Sequence, residues 1–126
     1  MRPKTLTAVA ELTLAGDSFD RCLANFLDEF YAHPNAAAFL PEPVLLAPHL
    51  GELGRIQDAY LAAVAEELVR PHDFPLPAWT RTEARWLHRP WFASSLASLR
   101  AVLLHESPAG FRSRNLFVSE NALSRA

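Results

Sequence analysis

Five histidines, one cysteine and a strip of interleaved arginine and tryptophan are the residues of this 126-residue chain whose chemistry reaches beyond packing. His33, His49, His72, His88 and His105 are scattered. None stands three or four places from another histidine or from the cysteine, and there is no HExxH run, so no metal site is expected. His105 and Glu106 are neighbours, but adjacent helical side chains diverge by about 100° and cannot share one ion comfortably. Cys22 falls on the apolar stripe of a helix, where a thiol packs as a small hydrophobe and stays protonated. No serine sits in a GxSxG elbow, and the four glycines form no phosphate-cradling loop. The carboxylate pairs Asp28–Glu29 and Glu66–Glu67 are expected on solvent faces. These observations predict no catalytic residue and no cofactor, hence a protein that is not an enzyme. The opposing view, an enzyme with an unrecognised site, would require a cleft with two polar groups of strongly shifted acidity.

The strip "PAWTRTEARWLHRPWF" carries Trp79, Trp86, Trp91 and Phe92 with Arg81, Arg85 and Arg89. Arginine over indole is a favourable stack, about 0.5–2 kcal/mol depending on burial. Three roles fit these residue types. The tryptophans can staple an extended proline-rich segment onto helices, form a protein interface in which Trp and Arg dominate the energetics, or stack single-stranded bases. In the tail, "HESPAGFRSRNLFVSENALSRA", Arg112 and Arg114 stand two apart and splay to different sides of a helix rather than forming one clamp.

Elements that would position these groups follow from periodicity. In "SFDRCLANFLDEFY", Phe19, Cys22, Leu23, Phe26, Leu27 and Phe30 recur at three- and four-residue steps, with Asp17 or Ser18 as cap and His33-Pro34 as stop. "HLGELGRIQDAYLAAVAEELVR" predicts a second long helix burying Leu50, Leu53, Gln57, Tyr60, Leu61, Val64 and Leu68, with Glu52, Arg55, Glu66 and Glu67 left to water. Gly51 and Gly54 either fray its start or admit a neighbouring backbone. Between the two helices, four prolines mark a connector. "TRTEARWL" has a capping-box pattern, Thr80 with Glu83. "SSLASLRAVLLHE" predicts a helix with Leu96, Leu99, Val102, Leu103 and Leu104 inward. Ser107-Pro108 starts another, Asn115 ends it, "LFV" at 116–118 is a short extended piece, and Ser119 caps a last short helix. The expected fold is all-α: a single compact bundle of about six unequal helices with a proline-rich connector, one domain over residues 1–126.

Bulk properties agree with a globular chain: 50% hydrophobic and 21% charged residues. Glu11, Asp17 and Asp20 interrupt the apolar opening, which argues for a mature helix rather than an export signal. With one cysteine and no run of roughly 20 apolar residues, a cytoplasmic protein that does not enter membranes is expected. The net charge of −2 is unevenly distributed. Residues 1–80 carry five basic against eleven acidic side chains, and residues 81–126 carry seven against three. A basic end on an acidic body suits an acidic partner, or self-association acid to base.

The strings "FLDEFY", "WLHRPWF" and "LRAVLLHESPAGFRSRNLFVSENALSRA" together resemble a family of small bacterial proteins ending in an "ESPAAFRRRN-FVS-NAL-RA" string. The match is densest from Trp79 to Ala126, and this chain departs from it at Gly110 and Ser113. The loss of an arginine at 113 weakens any three-arginine anion grip. The resemblance implies the non-catalytic, antitoxin-like partner of a nucleotidyltransferase-like protein in a bacterial two-gene module. Arg85, Arg89, Trp91, Arg112 and Arg114 are the expected partner-binding residues, because the planar guanidinium binds carboxylates or phosphates at two points. Nucleic-acid binding through the same strip is the second expectation, opposed by the overall negative charge.

Overall fold

The computed structural model describes residues 2–94 and 96–125. The chain is broadly all-α, 59% helix and 3% strand, with five α-helices among the described residues. These are α1 (Leu6–Leu14), α2 (Phe19–Ala32), α3 (Ala47–Val69), α4 (Arg100–Glu106) and α5 (Ala109–Arg112). Two two-residue strands, β1 (Trp91–Phe92) and β2 (Leu116–Phe117), pair in parallel, Trp91 opposite Leu116 and Phe92 opposite Phe117. None of the described helices is long and apolar enough to cross a membrane.

Thr5 caps α1 by accepting from the Ala8 amide (3.0 Å), and Ser18 caps α2 by accepting from Arg21 (3.3 Å). Cys22, Leu23, Phe26, Leu27 and Phe30 of α2 are all buried, as their spacing predicts. Phe26, Phe30 and Phe39 meet ring to ring at 5.1–6.1 Å, which ties the proline-rich connector to α2. One apolar cluster runs from Leu6 to Val118.

Helix α3 departs from its expected register at the start. Gly51 adopts φ 64°, a left-handed conformation that breaks the helix after its first turn. Gly54 then lies against the backbone of Leu46 and Ala47, so the close-approach role is the one it takes. Because the connector covers that face, Leu50 and Leu53 are turned outward, and Leu53 is 58% exposed. Farther along, Leu61, Val64 and Leu68 are buried as expected.

Three other expectations fail for identifiable reasons. The Thr80–Glu83 capping box does not form, because the Thr80 hydroxyl donates backward to Pro77 O (2.7 Å). Residues 78–85 fold instead as two 3-10 turns, Ala78–Arg81 and Glu83–Arg85. The stretch after Ser119 is a hydrogen-bonded turn, Ala122 N to Ser119 O, and not a helix. The apolar side chains before and within α4 do not point inward: Leu103 is buried, but Leu96, Leu99, Val102 and Leu104 are exposed.

Asn115 closes the segment after α5 at φ 64°, a left-handed position that asparagine tolerates. The turn sends Leu116, Phe117 and Val118 back into the core. Ser107 is buried beside them, donating to Val118 O (3.0 Å) and accepting from Val118 N (2.7 Å). The chain end is tied to α2: Tyr31 donates to Leu123 O (2.7 Å), and Arg125 grips Asp28 through two nitrogens. That grip holds the Asp28 carboxyl below the usual carboxylate range.

Candidate functional site

The five expected contact residues do not form one surface. Arg85 is 0% exposed and Arg114 1% exposed, which removes both from any partner-facing role in the folded chain. Each instead binds a part of the chain distant in sequence. Arg85 donates through Nη2 to Pro43 O (2.6 Å), lies 3.7 Å from Asp58 and 3.6 Å from Glu42, and covers the Trp79 ring at 4.8 Å. Asp58 in turn accepts from the Leu46 and Ala47 amides, at 2.7 and 3.1 Å, pinning the connector to α3. Burial pushes the Asp58 carboxyl up and the Arg85 guanidinium down, while the two amides and the mutual attraction pull each back.

Arg114 forms the second knot. It donates to Glu66 (2.8 Å), Gly110 O (2.7 Å) and Thr80 O (2.8 Å), with its guanidinium 4.9 Å from the Trp86 ring. Glu67 beside it accepts from Gly110 N (2.8 Å). The carboxylates expected to face water are therefore half-buried partners of the tail. Acidic body and basic end meet in four ion pairs: Asp58 with Arg85 in the interior, Glu42 with Arg85 and Glu66 with Arg114 at its edge, and Asp28 with Arg125 at the surface. A buried carboxylate at position 58 was the available clue, since "IQDAYLAAVA" is otherwise nearly apolar.

Arg89 and Trp91 are placed differently. Parallel pairing with β2 fixes their segment: Trp91 N donates to Asn115 O (2.8 Å) and Ala93 N to Phe117 O (2.9 Å). The Asn115 amide closes the loop on Leu87 O (2.7 Å). Exposed Arg89 and half-buried Trp91 then line a cavity of about 290 Å³ with Glu52, Arg55, Ile56 and His88. Arg55 is held there by donating to Trp86 O (3.1 Å), with His88 Nε2 at 3.2 Å from the same nitrogen. A second cavity, about 530 Å³, shares Ile56 and Trp91 and extends to Phe19, Asp20, Gln57 and Tyr60. Its walls are aromatic: Phe19 meets Tyr60 edge-on at 6.0 Å, and Tyr60 meets Phe111 at 4.9 Å. Gln57, only 8% exposed, has no hydrogen-bond partner for its carboxamide oxygen. Arg112 is exposed and lines neither cavity.

Burial lifts the Tyr60 phenol to about 12, with Asp20 adding to the shift. The folded state therefore keeps a proton that the unfolded chain releases near pH 10, so stability falls as pH rises from about 10 to about 12. The full window corresponds to roughly 2–3 kcal/mol. Urea unfolding at about pH 9 and about pH 11.5 should show the loss in the native chain, and Tyr60→Phe should remove the Tyr60 part, leaving that of Tyr31 and Cys22, whose groups burial also raises.

Cys22 is buried, and burial pushes its thiol up, with Asp17 contributing. Among the described residues no three His, Cys, Asp or Glu side chains gather as a metal site. The other surface feature is apolar. Leu96 (59% exposed), Leu99, Val102 and Leu104 stand on a nine-residue span in which Leu103 is the buried residue. Compared with known proteins, the chain matches no protein-family model, no curated protein and no solved structure.

Proposed function

We propose that this chain is a small non-catalytic interaction protein of the bacterial cytoplasm, the antitoxin-like half of a two-gene module. It docks a second polypeptide through the apolar face of residues 96–104. One observation carries the reading: four large aliphatic side chains are exposed together on that span. Single surface leucines are ordinary, whereas a contiguous apolar patch favours association. Leu99 and Val102 stand three residues apart at the start of α4, a spacing by which a helix meets a partner. Leu96 is the extended residue before the preceding 3-10 turn, and Leu104, two residues beyond Val102, faces another side of the helix. Arg100, held over the Phe92 ring at 5.1 Å, sets a positive charge beside the patch. Arg89, Trp91 and Arg112 stay available as flanking contacts, whereas Arg85 and Arg114 support the surface from inside.

The test is co-purification of the tagged full chain with the product of a neighbouring gene, compared with Leu99→Asp and Val102→Asp variants. The expected result is a near-stoichiometric complex, weakened at least about tenfold by either aspartate, with thermal stability unchanged. A complex indifferent to both substitutions, or none at all, overturns the reading. A homodimer dissolved by the same substitutions assigns the face to a second copy and also overturns it. Nucleic-acid binding would appear instead as affinity that falls steeply with salt and ignores the aspartates.

A further inference from the structure

The adjoining cavities between α3 and the segment 87–93 are lined by none of residues 96–104, share only the flanking Arg89 and Trp91 with the proposed docking face, and have a chemistry of their own. On one side, Glu52, Ile56 and Tyr60 recur every four residues along α3. On the other, the two hydrogen bonds from Trp91 and Ala93 to the tail hold the indole in place. The indole and Ile56 line both cavities, so at these side chains the two adjoin. Their volumes, about 290 and about 530 Å³, fall in the range of small-ligand sites.

Polarity divides the site. The smaller end holds Arg55, Arg89 and His88 against a single acid, Glu52. Arg55 is already oriented by Trp86 O, so its fork is set before any ligand arrives. Arg89 has no ion-pair partner among the described residues. Arg55 and Arg89 against Glu52 leave this end with a formal charge of +1, which matches one carboxylate better than a dianion. The larger end is lined by Phe19, Tyr60 and Trp91 together with the Asp20 carboxylate, which repels an anion from this end, and by Gln57, whose carboxamide oxygen is unpartnered. Flat aromatic walls suit an aromatic body.

We infer that this cleft binds an aromatic carboxylate, its carboxylate at Arg89 and Arg55 and its ring beside Trp91 and Tyr60. The same chemistry has two sources, a free aromatic acid or the carboxyl terminus of a polypeptide ending in an aromatic residue. Both present one negative charge on a ring-bearing body.

Titration of the isotope-labelled full chain with 3-phenylpropionate, followed by NMR at the Trp91 indole N–H and the Ile56 and Gln57 amides, tests the inference. Saturable shifts confined to those groups are expected, with Kd roughly millimolar for so small a probe. The uncharged amide of the same acid should bind at least about tenfold more weakly, and Arg89→Ala should abolish that difference. Arg89 is exposed, so this variant keeps the fold. A short peptide ending in phenylalanine, compared with its amidated twin, identifies the source. A free-carboxyl peptide binding well above 3-phenylpropionate indicates a chain end, and equal or weaker binding indicates a free acid. Acid and amide binding alike, shifts spread over the α4 face, or no saturation up to about 10 mM would each overturn the inference.

Discussion

Arg85→Ala is expected to destabilise the chain by about 3–5 kcal/mol, because it strips a fully buried carboxylate of its cation. Asp58 is 0% exposed and would keep only the Leu46 and Ala47 amides, while Pro43 O would lose its donor. For a chain of this length the loss corresponds to a fall in Tm of roughly 10–20 °C. Arg85→Ala with Asp58→Ala should cost less than the two separate losses added together, since the second substitution removes the charge that the first leaves stranded. A Tm close to that of the native chain would mean that Arg85 does not hold the fold, and would return it to the set of surface contacts. Arg114→Ala follows the same logic with a smaller expected loss, because its partner Glu66 is half-exposed.

The second large effect is expected at Gly54. A Cβ there would stand 2.5 Å from the carbonyl carbon and oxygen of Leu46 and 2.7 Å from Ala47 N, all backbone atoms. Alanine must therefore push the connector off α3, against the Asp58 bonds that hold it. The expected cost is about 3 kcal/mol or more, toward the upper end for overpacking, and it outweighs the helix propensity gained. Gly110→Ala is the contrasting case. Its Cβ would meet Glu67 Oε2 at 2.8 Å, the far end of a side chain that can rotate, and Ala63 O at 3.4 Å. Rotation gives up the Gly110 N bond to Glu67, so the expected cost is about 1 kcal/mol, well below that at Gly54. Equal urea midpoints for the two alanine variants would refute the close-packing account of Gly54.

The structure also changes what the arginine–tryptophan strip means. Trp79 is buried and donates to Phe39 O (2.8 Å), with Arg85 over its ring. Trp86 carries Arg114 in the same way. Two of the three indoles thus staple the extended segment to the helices, and the third, Trp91, lines the cleft. All three are Trp–Arg neighbourhoods in sequence, and composition cannot separate them. What separates them is the guanidinium over the ring: Arg85 and Arg114, each paired with a carboxylate of α3, cover Trp79 and Trp86, whereas Trp91 carries no such cover.

Local order was legible from the residues alone. The stripe of α2, the Ser18 cap and the turn at Asn115 depend on side chains within about one helical turn of each other, and those relations survive in any fold that forms the helix. The α4 segment shows the limit of that reasoning. Its apolar residues have helical spacing, but spacing says only that they share a face, not that a neighbour covers it. Tertiary structure alone decided where charge goes. Arg85 meets Asp58 across 27 residues and Arg114 meets Glu66 across 48, and no periodicity relates such positions. The sequence by itself established helices, their apolar stripes and a charge imbalance between the two ends. Whether that imbalance faces solvent or closes on itself depends on which backbones come together, because a guanidinium leaves water only where a carboxylate and carbonyl oxygens wait at hydrogen-bonding distance.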